Sequence, residues 1–125
     1  MFHLLFWIYL VNAMLLINHE IDSAYWKEWD LFKLKGGITG FLWMHFPLLF
    51  LVLWGLVQVR EQSAWGLALS ASLGIGGLGC YLIHTTFIRK GHPEFTLPLS
   101  RWLIRIIGLV SILQLSVTGY LIFAA

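Results

Sequence analysis

Four long apolar stretches, separated by short polar or glycine-containing segments, dominate the chain. They cover about residues 2–18, 38–57, 64–88 and 98–123. A helix needs roughly 20 apolar residues to cross the hydrocarbon core of a bilayer, and only the first stretch is shorter than that. We therefore predict one all-α domain over residues 1–125, an integral membrane bundle of four transmembrane helices.

The first helix is expected to continue beyond the membrane. Neither Gly nor Pro occurs before Gly36-Gly37. In the segment before these glycines, apolar residues recur at helical spacing, at Ile21, Tyr25, Trp29 and Phe32. This pattern predicts a helix that extends to about Phe32 and a turn at the two glycines. Because no basic residue precedes the N-terminal apolar stretch and no small-residue cleavage site follows it, we interpret it as a retained span rather than a signal peptide.

The other spans contain conformational signals of their own. Pro47 in the second span removes a backbone donor and predicts a kink. The loop 58–63 is short, so the second and third spans are expected to form an antiparallel hairpin, with Ser63 as the N-cap of the third. Small residues dominate the middle of that span, from Gly74 to Cys80, and they predict close approach by a neighbouring helix or a flat ligand.

The composition indicates a membrane protein and excludes other classes. Hydrophobic residues make up 59% of the chain and charged residues 11%, whereas soluble domains average about 25% charged residues. The seven Trp residues suit a protein anchored at lipid–water interfaces. The net charge of +2 is small and scattered, so no nucleic-acid partner is expected. Cys80 is the only cysteine, which excludes a disulfide within the chain and leaves the redox compartment open.

The basic residues predict an orientation for the bundle. All but one of the eight Lys and Arg residues fall on one side of it, namely Lys27, Lys33, Lys35, Arg89, Lys90, Arg101 and Arg105. Only Arg60 falls on the other side. By the positive-inside rule we predict a multi-pass protein of the bacterial inner (plasma) membrane, with the first and third loops in the cytoplasm and both termini outside it.

Ionisable residues gather in the half of the bundle that faces the cytoplasm. Seven such residues come from four helices: His19, Glu20, Asp22, His45, His84, Arg101 and Arg105. Ionisable groups at membrane depth are costly and usually face the bundle interior or a wet cavity, where they often serve function. Helical spacing places Asp22 on the face of His19 and turns Glu20 about 100° away, so His19 and Glu20 are not expected to bind one ion.

Each of these residues also has a purely structural interpretation. His19 and Asp22 fall at a helix end, where interfacial polar groups are common. His45 is compatible with a hydrogen bond to the backbone carbonyl that the nearby proline frees. Arg101 and Arg105 can extend to lipid phosphates along their apolar stems.

The run from His19 to Phe32, HEIDSAYWKEWDLF, is distinctive. Together with Gly36-Gly37, Phe41-Leu42 and His45, it resembles a family of small bacterial four-helix membrane proteins of unknown function, over most of the chain. The resemblance implies the fold, no activity, and a shared pattern that includes His19, Glu20, Asp22, Tyr25, Trp26, Glu28, Trp29, Gly37 and His45. More remotely, the His-x-x-acid motif is similar to the HXXEE membrane family, although Ser23 occupies the position of its second acid. The layout also resembles the sterol-isomerase-type (emopamil-binding) membrane bundles.

One hypothesis is an enzyme at the cytoplasmic face that acts on a lipid-like or small amphipathic molecule. General acid and base chemistry would come from four residues, His19, Glu20, Asp22 and His45. An apolar cavity would be shaped by Tyr25, Trp26 and Trp29, and Arg101 and Arg105 would hold an anionic headgroup. Whether the protein is an enzyme at all stays open at this point.

Two further hypotheses compete with the enzyme. The first is a metal ion bound by His19, Asp22, His45 and His84, or a haem held between His45 and His84. Gly76, Cys80 and His84 share one face of the third span, which gives such a group room to approach. The second is a non-enzymatic accessory subunit, in a homo-oligomer or a larger membrane complex, whose glycine-rich and Trp-rich faces contact the partner.

Overall fold

The structure is a computed structural model and describes residues Met1–Ala124. Its five helices are α1 (Phe2–Tyr25), α2 (Glu28–Leu31), α3 (Gly37–Arg60), α4 (Ala64–Arg89) and α5 (Pro98–Phe123). Among these residues there is no strand. All helices except α2 are long and apolar enough to cross a membrane. The predicted all-α class with four membrane spans is therefore confirmed.

α1 ends earlier than the sequence pattern predicts. It stops at Tyr25, and Lys27 then adopts a left-handed conformation (φ 52°) that turns the chain into the four-residue α2. After this turn Trp29 packs on Phe41 of α3, with ring centroids 5.5 Å apart, and Phe32 contacts aromatic rings of α4. α1 does extend past residue 18, the predicted end of the first span. Its predicted continuation to Phe32 is wrong, because the aromatic residues of its apolar face pack across the bundle and not along one helix.

α3 and α4 form the predicted antiparallel hairpin. Residues 61–63 connect them, and the Ser63 hydroxyl accepts a hydrogen bond from the backbone N–H of Gly66 at 3.0 Å, which confirms Ser63 as the N-cap. α3 continues through Pro47 as one helix. The hairpin places the end of α3 directly against the first turn of α4.

Two glycines of α4 allow α5 to approach closely. A Cβ atom added to Gly77 would overlap the Ser111 hydroxyl, and one added to Gly74 would overlap Leu115. Gly76 and Gly79, in contrast, have open space at that position. The small residues from Gly74 to Cys80 therefore include a helix-packing face, as predicted, but of the four glycines only Gly74 and Gly77 belong to it.

A buried polar network joins α1, α4 and α5, and it includes Ser111, the residue that Gly77 approaches. Asn12 donates hydrogen bonds to the Ser111 hydroxyl (3.1 Å) and to the Gln114 side-chain carbonyl (2.8 Å). Gln114 in turn donates to the carbonyl oxygen of Ser70 (2.9 Å), and the Ser70 hydroxyl lies 2.8 Å from that of Thr118. All five side chains are buried. Since a membrane interior offers no water, such closed networks fix the rotation and register of the helices that they connect.

Candidate metal centre

His19 of α1 and His84 of α4 meet inside the bundle. Their side chains are only 2% and 3% exposed, and their Nε2 atoms lie 3.1 Å apart. The Ser23 hydroxyl, one turn after His19, lies 3.4 Å from the same His19 nitrogen. The i, i+4 spacing on α1 and the contact between α1 and α4 thus direct three polar groups toward one point.

Glu28 reaches this point from α2. Its Oε1 atom lies 3.1 Å from Nε2 of His84, so a proton on that nitrogen faces both the carboxylate and His19. Burial raises the pKa of the Glu28 carboxyl, but hydrogen bonds to His84 and Ser23 lower it by more, and the pKa lies below its ordinary value. The turn at Lys27 is what brings this ionised carboxylate over the two histidines.

Phe95, in the connection between α4 and α5, covers the histidine pair. Its side chain is 1% exposed and its backbone is left-handed (φ 61°). Its ring centroid lies 4.3 Å from that of His84 and 5.3 Å from that of His19. The Trp26 ring lies beside it, with centroids 6.2 Å apart. This aromatic cover excludes bulk water from the pair, which strengthens electrostatic interactions there.

Cys80 completes a group of residues with metal-binding side chains. It lies one turn before His84 on α4, and one ligand atom each of His19, Cys80 and His84 lie within 4.8 Å of one another. Imidazole and thiolate are ligands that zinc and copper favour. With Zn–N bonds of about 2.0–2.1 Å, two nitrogens 3.1 Å apart subtend an angle of about 100° at the ion, close to tetrahedral. The group therefore has both the chemistry and the spacing to hold such an ion.

The second ring nitrogens of this histidine pair lack partners in the described chain. Nδ1 of His19 and Nδ1 of His84 are both buried without a hydrogen bond to residues 1–124. Buried polar atoms without a partner are rare in folded proteins. These two Nδ1 atoms are the ring nitrogens other than the two Nε2 atoms that approach each other, so the pair is not a fully satisfied hydrogen-bond network within the described residues.

His45 belongs to a second, separate pair with Glu20. Its Nδ1 donates to the carbonyl oxygen of Phe41 (2.6 Å), and its Nε2 lies 2.6 Å from Oε2 of Glu20. Because a carbonyl oxygen only accepts, Nδ1 holds a proton, and Nε2 and Glu20 share one further proton between them. The carbonyl is that of Phe41, four residues earlier, and not that of Trp43, which Pro47 leaves without its helical donor.

An apolar groove of about 390 Å³ lies between α1, α3 and α4. Its walls are mostly Leu, Ile and Val side chains, and Glu20 and Cys80 are among the few polar groups that line it. Gly76 forms part of the α4 wall. The groove therefore connects the carboxylate of the second pair with the thiol of the metal-binding group.

The other residues singled out from the sequence lie around these two pairs. Asp22 is half-buried, and one of its carboxylate oxygens has no partner among residues 1–124. Tyr25 is 70% exposed, and Trp29 packs on Phe41. Arg101 and Arg105 line a different cavity, between α4 and α5.

The sequence predicted one ionisable cluster, and the structure contains two. His19 and Glu20 are separated as their spacing predicted, but His45 lies with Glu20 and not with His84, so the two histidines suggested for a haem belong to different pairs. Cys80 lies in the metal-binding group but is not among the ligands predicted from the sequence. Its i, i+4 relation to His84 is the sequence signal that points to it.

These features define a polytopic membrane protein with a buried histidine–cysteine group that could hold a metal ion. Residues 5–121 match the family of unknown function DUF6713, and the chain belongs to that family. No curated protein and no solved structure matches it. The family assignment agrees with the resemblance to a family without known activity, whereas the remote similarity to the HXXEE and emopamil-binding families stays a prediction.

Proposed function

We propose that the protein binds a late first-row transition-metal ion, zinc or copper, in the membrane. His19, Cys80 and His84 are the ligands of this proposed site, and the Glu28 carboxylate lies beside it, 3.1 Å from Nε2 of His84. The observation that carries the proposal is the convergence of two imidazoles and a thiol from α1 and α4 inside a bundle that buries few other ionisable groups. The adjacent Glu28 carboxylate supplies the negative charge that favours a cation.

The ligand set also argues against the hard cations. Magnesium and calcium prefer six or more oxygen ligands, and this group offers two nitrogens and one sulfur, with a single carboxylate beside it. Zinc and copper accept imidazole and thiolate ligands of this kind. Metal affinity at such a site falls as the pH is lowered, because protons compete for the imidazole nitrogens and the thiolate.

The first experiment measures the metal content of the purified protein. The chain, with an affinity tag free of histidine, is extracted from membranes in mild detergent without chelator and analysed for metals by mass spectrometry. We expect about one ion per chain, and loss of that ion in His19→Ala/His84→Ala. Co²⁺ added to the metal-free protein is expected to give a thiolate charge-transfer band that is absent in Cys80→Ser.

His3→Ala is the matched control for these variants. His3 lies at the opposite end of α1 and accepts a hydrogen bond from Trp7, so its loss is expected to leave the metal content unchanged. Circular dichroism and gel filtration identify any variant that fails to fold. If the folded wild type takes up none of Zn²⁺, Cu⁺ or Cu²⁺ at micromolar concentration, or if His3→Ala loses as much metal as the double variant, the proposal is wrong.

We propose as a second function that the Glu20–His45 pair performs acid–base chemistry on an amphipathic molecule dissolved in the membrane. One observation favours this function. The carboxylate of Glu20 and the imidazole of His45 share a proton, and Glu20 lies on the wall of the 390 Å³ apolar groove. The groove suits an apolar chain, and Glu20 would meet the polar end of that chain. The Glu20–His45 contact would supply the proton donor and acceptor.

Occupancy of the groove can be tested without disturbing the pair. Gly76→Phe is expected to fill the groove, since a side chain at this position meets open space and the groove wall. Mass spectrometry of the intact protein in detergent should then show that a bound amphipathic molecule is displaced. Gly79→Phe is the control, because Gly79 also faces open space but does not line the groove. Equal occupancy in wild type and both variants would contradict this function.

A further inference from the structure

Three arginines surround one cavity of about 190 Å³ between α4 and α5. Arg89 lies in the last turn of α4, and Arg101 and Arg105 are the fourth and eighth residues of α5. Thr85 and Tyr81 contribute to the same wall. None of these residues belongs to the metal-binding group or to the apolar groove, so the cavity needs an explanation of its own.

These positive charges have no counter-charge in the described chain. Within residues 1–124, no carboxylate lies at salt-bridge distance from Arg89, Arg101 or Arg105. Arg101 and Arg105 are four residues apart on one helix, a spacing at which like charges repel. Arg101 also lies at the positive end of the α5 dipole, where a cation is unfavourable and an anion is favourable. An anion in the cavity would relieve both effects at once.

The shape and setting of the cavity select the kind of anion. Guanidinium groups bind phosphate oxygens through paired hydrogen bonds, and the Thr85 hydroxyl adds a further donor. Ile88 and Ile104 make part of the wall apolar. The arginines lie near the ends of two helices that are long and apolar enough to cross a membrane, and arginines near the ends of such helices commonly reach lipid phosphates.

We propose that this cavity binds a phosphate group, and that the phosphodiester headgroup of an anionic membrane lipid supplies it. Arg89, Arg101 and Arg105 hold the phosphate oxygens, and the half-buried Ile88 contacts the apolar part of the lipid. Inorganic phosphate or a soluble phosphate ester shares the same chemistry. The experiment therefore has to distinguish the lipid from the soluble ligand.

The test titrates the detergent-purified full chain with short-chain phosphatidylglycerol, with short-chain phosphatidylcholine and with inorganic phosphate, while the melting temperature is followed. We expect saturable stabilisation by phosphatidylglycerol that phosphatidylcholine does not give. In Arg101→Gln/Arg105→Gln the apparent affinity should fall at least about tenfold, because two charge-assisted contacts are lost. Lys33→Gln/Lys35→Gln removes the same charge from exposed residues outside the cavity and should leave the affinity within about twofold.

The outcomes of this experiment separate a specific lipid site from diffuse charge attraction and from a site for soluble phosphate. Equal weakening in the arginine and lysine variants means that diffuse surface charge attracts the lipid, and it overturns the site. Saturable stabilisation by inorganic phosphate that depends on the arginines supports the phosphate cavity and overturns the lipid as its source. No stabilisation by any of the three compounds in a folded protein overturns the whole proposal. The metal content of Arg101→Gln/Arg105→Gln is expected to equal that of wild type, which separates this proposal from the metal centre.

Discussion

His45→Leu is expected to lower the free energy of unfolding by about 3 kcal/mol, because it leaves Glu20 without its partner in an apolar setting. In the wild type the two side chains share a proton across a 2.6 Å contact, and His45 is buried. Removal of one member of a buried charged pair costs far more than the pair itself contributes. Reversible unfolding in mixed detergent micelles measures the loss.

The double variant Glu20→Leu/His45→Leu tests the cause of that loss. Because it removes both polar groups, it should recover most of the stability that His45→Leu loses. The loss in His45→Leu should also shrink as the pH falls, since protonation neutralises the isolated Glu20 carboxylate. If the single and double variants unfold alike at neutral pH, then lost packing around His45 is the cause and the pair contributes nothing to stability.

Much of the fold can be predicted from the sequence because its signals are local. The length of each apolar stretch sets the number of spans, and Ser63 marks the start of α4 through a hydrogen bond within its own first turn. The end of α1 could not be predicted in this way. Lys27 is left-handed because α2 packs back over the bundle, with Glu28 on His84, and that contact joins residues far apart in the sequence.

The candidate site shows the same division between local and long-range information. The sequence alone placed the ionisable residues on one side of the bundle and separated His19 from Glu20. It could not decide whether His45 or Cys80 joins His84, since that depends on how each helix is rotated about its axis. The rotation is fixed by contacts such as the Asn12 network with α5 and the Gly77 contact with Ser111, which connect distant segments.

The glycine-rich stretch of α4 divides in a way that bears on the accessory-subunit hypothesis. Gly74 and Gly77 pack against α5 of the same chain, so this part of the small-residue face is not available to a partner. Gly76 faces the apolar groove instead. The small residues thus support closure of the bundle on one side and access to the Cys80 thiol on the other.

Gly66→Ala is expected to be the most destabilising Gly→Ala substitution in the four long helices. A Cβ at this position would lie 2.5 Å from the carbonyl oxygen of Gln58 and 2.7 Å from the backbone nitrogen of Val59. Backbone atoms cannot rotate aside as a side chain can, so α3 and α4 must separate at the end where the short loop holds them together. Overpacking of this kind costs about 3 kcal/mol, and the melting temperature in detergent should fall accordingly.

Other glycines provide graded controls for this prediction. Gly55→Ala would meet the Tyr9 hydroxyl, the end of a side chain, and should cost less, chiefly by disturbing the 2.8 Å hydrogen bond from that hydroxyl to the carbonyl of Val52. Gly76→Ala meets open space and should be neutral or slightly stabilising, because Ala favours a helix by about 1 kcal/mol over Gly. If the Gly66→Ala and Gly76→Ala proteins had the same melting temperature, the α3–α4 hairpin would tolerate separation. In that case the close approach at Gly66 does not hold the bundle together.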